Sequence, residues 1–303
     1  MRARNRGASS DSNQLHTKLE HLSWKNLPRV HTGIALMDKI ACVILPTFNE
    51  AQNVELLISQ IFAQSGMIAT HDLHVVVVDD DSPDGTSEVI RGLMTTFPNL
   101  HLSTGKKKGL GEAYKRGIAY ASNELGADLI LQMDADFQHD PGLLPLFVTL
   151  TNYGFSLVIG SRFVSGGATP NFPWYRRVIS LTGTWLVRQF GSLPALTDCT
   201  SGYRCIKAQI VRKCDLSGLA TRGYSFQSSL LCELLRNGAR VIEVPIIFNE
   251  RQRGTSKLSF QDQVEFLSNL PKLRNKASDL AVRPVYQAPP DSPGLKSATR
   301  KSE

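Results

Sequence analysis

The chain has 303 residues, of which 42% are hydrophobic and 20% are charged, a composition typical of a globular protein. Its net charge of +7 favours an anionic partner such as a phosphorylated substrate, a lipid headgroup surface or nucleic acid. Because the basic residues are scattered among tails and loops without interleaved aromatic residues, we expect no nucleic-acid partner. The five cysteines form no C-x-x-C pair, which argues against a zinc site and predicts reduced thiols in a cytoplasmic protein.

The N-terminal residues 1–38 are polar and weakly patterned, and we expect a flexible, basic extension there. They contain no apolar stretch of the kind that a secretory signal requires. An apolar run begins at Ile40 and predicts the start of the folded domain, which we place at residues 39–260.

From Lys39 onwards, short apolar runs alternate with helical patterns. The segments "IACVILP" and "LHVVVVDDDS" predict buried strands, and "NVELLISQIF" between them predicts a helix. Two further strands are predicted at "LHLSTG" and "ADLILQMDAD", with helices at "PDGTSEVIRGLMTTF" and "GLGEAYKRGIAYAS". Strands rich in Val, Ile and Leu that alternate with helices predict an α/β fold, with a parallel sheet covered on both faces.

The pattern loosens past Ser161, where "VISLTGTWLVRQF" predicts a helix that carries basic residues beside an apolar stripe. Such a helix can lie at a membrane surface or pack on the core, and its pattern alone leaves both open. A closing helix is predicted over 261–276, which could also lie on a membrane, and 277–303 is expected to be disordered. No stretch is apolar enough to predict a membrane span. The stripe residues expected on one side of the first helix are Val178, Leu181, Trp185, Leu186 and Phe190.

Acidic side chains follow three of the predicted strands. Glu50 comes after the first strand, Asp79 to Asp81 end the second, and Asp134 and Asp136 follow the fourth. In parallel sheets, ligands bind beyond the carboxyl ends of the strands. The acidic strand ends therefore predict a ligand site at one edge of the sheet.

The segment "LQMDADFQHD" places Asp134, Asp136 and Gln138 at alternate positions. In an extended segment, side chains at i, i+2 and i+4 point the same way, so three oxygen ligands are expected to converge. Mg²⁺ and Mn²⁺ prefer oxygen ligands and often share them with substrate phosphates. The segment predicts a divalent cation held against a diphosphate, although the motif alone also fits a solvated turn.

Eight segments follow one another along the chain: "ILPTFNEAQNV", "VVVVDDDSPDGT", "KGLGEAYKRG", "MDADFQHDP", "IGSRF", "TSGYR", "RGYSFQ" and "ERQRGTSKLS". In identity and order this set resembles family 2 glycosyltransferases, and more narrowly the polyprenol-phosphate mannose synthases. The resemblance extends from about Ile40 to Ser259. It implies a GT-A fold, in which a single catalytic domain without a transmembrane helix has a mostly parallel, twisted sheet with helices on both faces.

The same resemblance implies an inverting, metal-dependent transfer of mannose from GDP-mannose to a polyprenyl (dolichyl) phosphate, which gives polyprenyl phosphate β-mannose. Mg²⁺ or Mn²⁺ would be the cofactor. The enzyme would lie in the cytoplasm, attached peripherally to the cytoplasmic face of a membrane, where a separate membrane protein could present the lipid.

The resemblance also assigns roles to individual residues. The metal is expected on Asp134, Asp136 and Gln138, and the catalytic residues are expected to be Asp134, Asp136 and Arg162. The acceptor phosphate is expected on Arg162, Arg176 and Ser180; arginines suit an acceptor that is already ionised and needs only positioning. The residues expected to contact the donor nucleotide sugar are Pro46, Phe48, Glu50, Val78, Asp80, Asp134, Ala135, Asp136, Arg162, Arg251 and Lys257.

Two alternatives stay open at the level of sequence. This chain has "DADFQHDP" where many mannose synthases have "DADLSHHP", and its form is similar to bacterial relatives, some of which use UDP-glucose. A UDP-glucose-dependent polyprenyl-phosphate glucosyltransferase is therefore the nearest alternative. A non-catalytic relative that binds nucleotide sugars is the other.

Overall fold

The computed structural model of the chain describes residues 39–170, 172–193, 196–219, 223–249 and 260–275. These residues form a seven-stranded sheet with helices packed on it. The strands are β1 (Ile40–Thr47), β2 (Asp72–Asp79), β3 (Leu100–Thr104), β4 (Leu129–Gln132), β5 (Leu157–Ser161), β6 (Arg204–Lys207) and β7 (Val241–Pro245). The helices are α1 (Ala51–Ala63), α2 (Thr86–Leu93), α3 (Leu110–Asn123), α4 (Leu144–Asn152), α5 (Trp174–Gly191), α6 (Ala208–Val211), α7 (Gly223–Arg236) and α8 (Phe260–Asn275).

The strand order is β3-β2-β1-β4-β6-β5-β7. All neighbouring pairs are parallel except the two that involve β6, which runs antiparallel to β4 and to β5. Strand β5 ends at the carboxyl edge of the sheet and β6 begins there, so the segment 162–203 starts and finishes at that edge. The prediction of a mostly parallel α/β sheet is confirmed, and α5 belongs to an insertion at its carboxyl edge.

Alternation along β1 shows how the sheet separates two cores. Ala41, Val43 and Leu45 face a core that includes residues of α1, α2 and α4. Cys42 and Ile44 face a second core, which includes residues of α3, α5, α7 and α8. Because both faces of the strand are buried, its sequence is a continuous apolar run, as in other covered parallel sheets.

A glycine brings α3 against the sheet. A Cβ atom at Gly117 would collide with the side chains of Ile44 and Val78, which lie on neighbouring strands β1 and β2. Only a residue without a side chain allows this close approach. As a result, Tyr114 and Arg116 of the same helix can reach groups beyond the ends of the strands.

Helix α5 buries few of its large apolar residues. Its buried residues are mostly small ones: Ser180, Gly183, Thr184, Val187 and Gly191. Of the predicted stripe, Leu186 and Phe190 are partly buried against the core, whereas the other three residues are exposed. The predicted stripe is therefore only partly covered by the core, and small residues allow the helix to lie close to it. The exposed large apolar residues of α5 are Trp174, Tyr175, Val178, Ile179, Leu181 and Trp185.

No helix within the described ranges is long and apolar enough to span a bilayer. The five cysteines carry free thiols, as predicted. Burial raises the pKa of the Cys42 and Cys232 thiols to about 12, so both stay protonated and behave as small apolar core residues.

Candidate active site

The ends of β1, β2 and β4 lie side by side, since β1 pairs with both of the other strands. Pro46 and Val78, which were predicted to contact the donor, are direct cross-strand partners. Asp80 and Glu50 follow within four residues and are both buried. The structure thus brings together the predicted donor residues of the first two strand ends.

Each of the three strand ends is followed by a residue in the left-handed backbone region. Asn49 follows β1, Asp81 follows β2 and Phe137 follows β4, with φ values of 56°, 50° and 64°. Asn and Asp tolerate this region, whereas a bulky residue such as Phe adopts it rarely. Backbone strain of this kind concentrates at functional sites, and here it occurs in three loops of one edge.

Two neighbouring aspartates after β2 have different surroundings. Asp79 accepts hydrogen bonds from the hydroxyls of Thr47, Ser82 and Ser87 and so joins the first two loops. The Asp80 carboxylate instead forms an ion pair of 2.8 Å with Arg116 of α3. Burial raises the pKa of Asp80, and Arg116 opposes that rise. Asp80 is therefore a buried carboxylate whose charged form is favoured mainly by Arg116, with a smaller contribution from Lys107.

The loop after β1 has its own contacts with neighbouring elements. Glu50 accepts a 2.7 Å hydrogen bond from the Asn53 side chain, and the Lys107 ammonium lies 3.5 Å from the centre of the Phe48 ring, a cation–π contact. The two lysines on either side of Lys107 in the chain line a cavity of about 500 Å³. Its lining residues are Gly105, Lys106, Lys108, Glu112, Lys115 and Arg116.

The aspartate motif after β4 is not extended as predicted. Strand β4 ends at Gln132, and Phe137 turns the chain through the left-handed region. The backbone N–H of Gln138 donates to the Asp136 carboxylate at 3.1 Å. The premise that side chains alternate along a strand was therefore wrong here, because the strand has ended before Asp134. A tight turn, and not strand alternation, brings the Gln138 backbone to the Asp136 carboxylate.

Tyr114 and His139 lie against Asp134. The Tyr114 hydroxyl donates to the Asp134 carboxylate at 3.3 Å, and the Asp134 backbone N–H donates to Nδ1 of His139 at 3.0 Å. Since Nδ1 is the acceptor, the proton of the neutral ring sits on Nε2, which is 3.9 Å from the same carboxylate. Burial lowers the pKa of His139 to about 4, so the ring stays neutral near pH 7.

The donor set of the aspartate motif fits a divalent cation that is held jointly with substrate. Asp134 is partly exposed, whereas Ala135 and Asp136 are buried. The carboxylate oxygens of the two aspartates are hard ligands of the kind that Mg²⁺ and Mn²⁺ prefer. Among the described residues, no three His, Cys, Asp or Glu side chains are grouped so as to hold a metal. Mg²⁺ sites with few carboxylates complete their shell with water and substrate phosphates.

Arg162 is buried and paired. Its guanidinium makes hydrogen bonds of 2.7 and 2.8 Å to the Asp198 carboxylate and one of 2.8 Å to the Thr200 hydroxyl. Burial raises the pKa of Asp198, but the adjacent Arg162 outweighs it and holds that pKa below its usual value. The sequence motifs did not predict this ion pair, because Asp198 belongs to none of the segments that were assigned a role.

The acceptor residues predicted on α5 have different exposure. Arg176 is exposed in the first turn of the helix, and Ser180, one turn later, is buried. Arg251 and Lys257 lie outside the described residues. The nearest described residue before them is Asn249, whose backbone carbonyl accepts a hydrogen bond of 3.1 Å from the Gln138 side chain.

Residues 42–215 match the family described as Glycosyl transferase family 2. The chain is 37% identical over 219 residues to a polyprenol monophosphomannose synthase of Mycolicibacterium smegmatis, covering 72% of this chain and 80% of the relative. It is 39% identical over 217 residues to an undecaprenyl-phosphate mannosyltransferase of Micrococcus luteus, covering 71% of this chain and 86% of the relative.

The fold is similar to that of solved glycosyltransferase structures. One is glucosyl-3-phosphoglycerate synthase of Mycobacterium tuberculosis in complex with Mn²⁺, UDP and glucosyl-3-phosphoglycerate. The TM-score is 0.54 at 18% identity, and the match covers 79% of this chain and 80% of that one. This likeness supports the predicted GT-A fold, and the family match extends over more than half of the chain. The protein is a glycosyltransferase and belongs to glycosyl transferase family 2.

Proposed function

We propose that this enzyme transfers mannose from GDP-mannose to a polyprenyl phosphate, with inversion at the anomeric carbon. Both relatives described above are named for mannose transfer to a polyprenyl phosphate. The observation that carries the proposal is the placement of Asp80 and Asp134 at one edge of the sheet, beyond strands β2 and β4, which lie on either side of β1. A nucleotide at the first and a sugar diphosphate at the second would fit the spacing of a nucleotide sugar.

The donor nucleoside is assigned to the ends of β1 and β2. Pro46 and Phe48 would offer apolar surface to the base, and Val78, whose side chain is buried in the core, would contact the donor through its backbone. The carboxylates of Glu50 and Asp80 would accept hydrogen bonds from base or ribose. Arg116 keeps Asp80 in place. The cation–π contact between Lys107 and Phe48 puts positive charge beside this site, as binding of a nucleoside diphosphate requires.

The sugar diphosphate is assigned to the turn after β4. Asp134 and Asp136, with Gln138, would hold a divalent cation, which when bound offsets the negative charge that develops on the departing nucleoside diphosphate. Tyr114 and His139 restrict the position of the Asp134 carboxylate. In this proposal Ala135 contributes a small side chain where the sugar must approach the backbone.

The acceptor phosphate is assigned to Arg162, Arg176 and Ser180. A phosphate monoester is already ionised near neutral pH because its second pKa is about 6, so it needs positioning and charge stabilisation and no strong base. Arg176 is exposed and can meet an incoming anion. Arg162, held by Asp198, would present a fixed charge, and Arg251 and Lys257 remain proposed phosphate contacts outside the described residues.

The enzyme is proposed to bind a membrane surface through α5. Six large apolar residues of this helix are exposed, and Arg176 and Arg177 lie among them. A helix with apolar and basic residues on its exposed surface suits the boundary between headgroups and acyl chains. This placement would put the phosphate of a lipid acceptor beside the carboxyl edge of the sheet.

The test is a matrix of donors and acceptors. The protein is incubated with GDP-mannose, UDP-glucose or UDP-N-acetylglucosamine, each with Mg²⁺ or Mn²⁺ and a short polyprenyl phosphate, and lipid products are identified by mass spectrometry. The proposal predicts a mannosyl lipid, formed from GDP-mannose and lost with EDTA. Formation of a glucosyl lipid from UDP-glucose would instead identify the protein as a UDP-glucose-dependent glucosyltransferase. Donor binding without any transfer would favour a non-catalytic relative.

A further inference from the structure

Helix α7 carries a buried glutamine whose side chain has no partner. Gln227 is 3% exposed, and among the described residues neither its amide nitrogen nor its amide oxygen makes a hydrogen bond. Buried side-chain polar atoms nearly always have partners, and one that does not requires an explanation. Gln227 belongs to the segment "RGYSFQ", to which the proposed function assigns no role.

The Gln227 amide lies next to the aspartate motif. A Cβ atom placed on Gly202 would lie 3.4 Å from Nε2 of Gln227 and 3.8 Å from the nearer carboxylate oxygen of Asp134. These are ordinary van der Waals distances, so the side chains around Gly202 do not themselves require a glycine. The absence of a side chain at Gly202 instead leaves room for a group the size of a methyl or hydroxyl beside the amide and the carboxylate.

Arg204 fixes the backbone of this glutamine. It is fully buried, and its guanidinium donates to the backbone carbonyls of Gln227 at 2.8 Å and Cys199 at 3.1 Å. Burying a guanidinium costs free energy unless hydrogen-bond partners surround it. The hydrogen bond from Arg204 to the Gln227 carbonyl links the "TSGYR" and "RGYSFQ" segments. The main chain of Gln227 is therefore held while its amide is left to bind something else.

We propose that Gln227 determines sugar specificity, because its carboxamide binds a hydroxyl of the donor sugar next to Asp134. This inference rests on the proposed function, in which the sugar lies at Asp134. A carboxamide offers two donors and an acceptor and so matches a hydroxyl, which both donates and accepts. In the proposed function the diphosphate is held through the cation on Asp134 and Asp136, which leaves the sugar hydroxyls as the neutral groups that an uncharged carboxamide can bind.

The first variant is Gln227→Met, which keeps the length of the side chain and removes its polar atoms. Removing an unpartnered buried amide leaves the free energy of unfolding unchanged or increases it. The same change is expected to lower kcat/KM for the full donor, so that stability and activity separate. If Gln227 had only a structural role, Gln227→Met would lower both the free energy of unfolding and kcat/KM. Ser228→Ala is the control, since it removes a neighbouring buried hydroxyl that also has no partner and should leave activity unchanged.

The decisive experiment combines the variant with altered donors. Wild type and Gln227→Met are assayed with GDP-mannose and with analogues that each lack one hydroxyl of the sugar. Wild type is expected to lose roughly 100-fold in kcat/KM with one of these analogues, and Gln227→Met to lose nothing further with that same analogue. Equal losses in both proteins with every analogue would overturn the inference, as would a rise confined to the KM of the lipid.

Gly202→Ala is a second variant in case Gln227→Met does not fold. Its methyl group occupies the open space without a clash against Gln227 or Asp134, so it should fold normally and transfer the full sugar more slowly. The inference predicts that it tolerates the critical deoxy analogue relatively better than wild type does. Unchanged discrimination in a folded Gly202→Ala protein would count against the inference.

Failure of the proposed function is distinguishable from failure of this inference. If wild type makes no mannosyl lipid, the proposed reaction is wrong, and the same comparison is made on Kd by calorimetry with the nucleotide sugar that binds. Coupling between Gln227 and one sugar hydroxyl would then still support the inference. Mannosyl transfer by wild type with no such coupling would refute the inference alone.

Discussion

The sheet and helix α5 place their apolar residues in opposite ways. In β1 and β2 the apolar side chains are buried on both faces, and Asp79 and Asp80 lie at the carboxyl edge, where each has a partner. In α5, small residues face the core and large ones such as Trp174 and Trp185 are exposed. The sheet edge is thus built to hold polar groups in fixed positions, whereas α5 presents an apolar surface.

This difference separates two kinds of residue. Changes at the sheet edge should reduce chemistry or stability, because its groups are buried and paired. Changes on the exposed surface of α5 should affect membrane attachment and leave stability nearly unchanged. Each of the following variants either sharpens or removes this contrast.

The largest effect is expected for Asp136→Asn at the sheet edge. Loss of a carboxylate that is proposed to hold the cation should lower transfer by about 1,000-fold, since charge stabilisation in the transition state is lost. Transfer of radiolabelled sugar to lipid measures this. Asp72→Asn, an exposed residue at the start of β2, is the control. Wild-type rates in Asp136→Asn would show that the turn after β4 has no part in catalysis.

A smaller effect is expected for Arg116→Gln, which leaves Asp80 buried without its cation. A charge-assisted hydrogen bond contributes about 2 kcal/mol, so we expect a lower free energy of unfolding and a donor KM raised roughly 10-fold. Denaturant titration and steady-state kinetics measure the two. Arg91→Gln removes an exposed ion pair with Glu88 and should have little effect. A normal KM in Arg116→Gln would separate Asp80 from donor binding.

On the other side of the contrast, Trp174→Ser and Trp185→Ser should each weaken vesicle binding about 5-fold, the equivalent of about 1 kcal/mol of lost apolar burial. Their Tm should stay within about 1 °C of wild type because both side chains are exposed. Co-sedimentation with anionic vesicles measures binding. Leu56→Ser serves as the control, because it removes an apolar residue of α1 that is about as exposed as Trp185. If it weakens binding as much, α5 is not the membrane surface.

The smallest effect concerns His74 and His101. A 3.0 Å hydrogen bond joins their rings, at the opposite end of the strands from the carboxyl edge. Burial lowers the pKa of both. The unfolded chain therefore takes up protons at a higher pH than the folded one, and stability falls as the pH drops below about 6.5. His101→Phe should make Tm less sensitive to pH between about 7 and 5. Parallel curves for both proteins would contradict this, whereas catalysis at pH 7 should not change.

Much of the sheet was predictable because buried strands are continuous apolar runs, and acidic residues after them mark the edge at which ligands bind. The contacts of Asp80 and Asp134 were not predictable, because Arg116 and Tyr114 reach them from α3 only through the close approach at Gly117. The turn at Phe137 was missed, since its left-handed backbone leaves no trace in a motif read as extended. The surroundings of α5 were left undecided, because apolar periodicity shows which side chains share a face and does not show whether protein or membrane covers that face.

The most direct test of the account is a crystal structure of the enzyme soaked with GDP-mannose and Mn²⁺. The account predicts anomalous density for manganese between Asp134 and Asp136 and the donor diphosphate, with the nucleoside beside Phe48 and Asp80. A nucleotide bound away from the ends of β1, β2 and β4, or manganese bound to other residues, would contradict it.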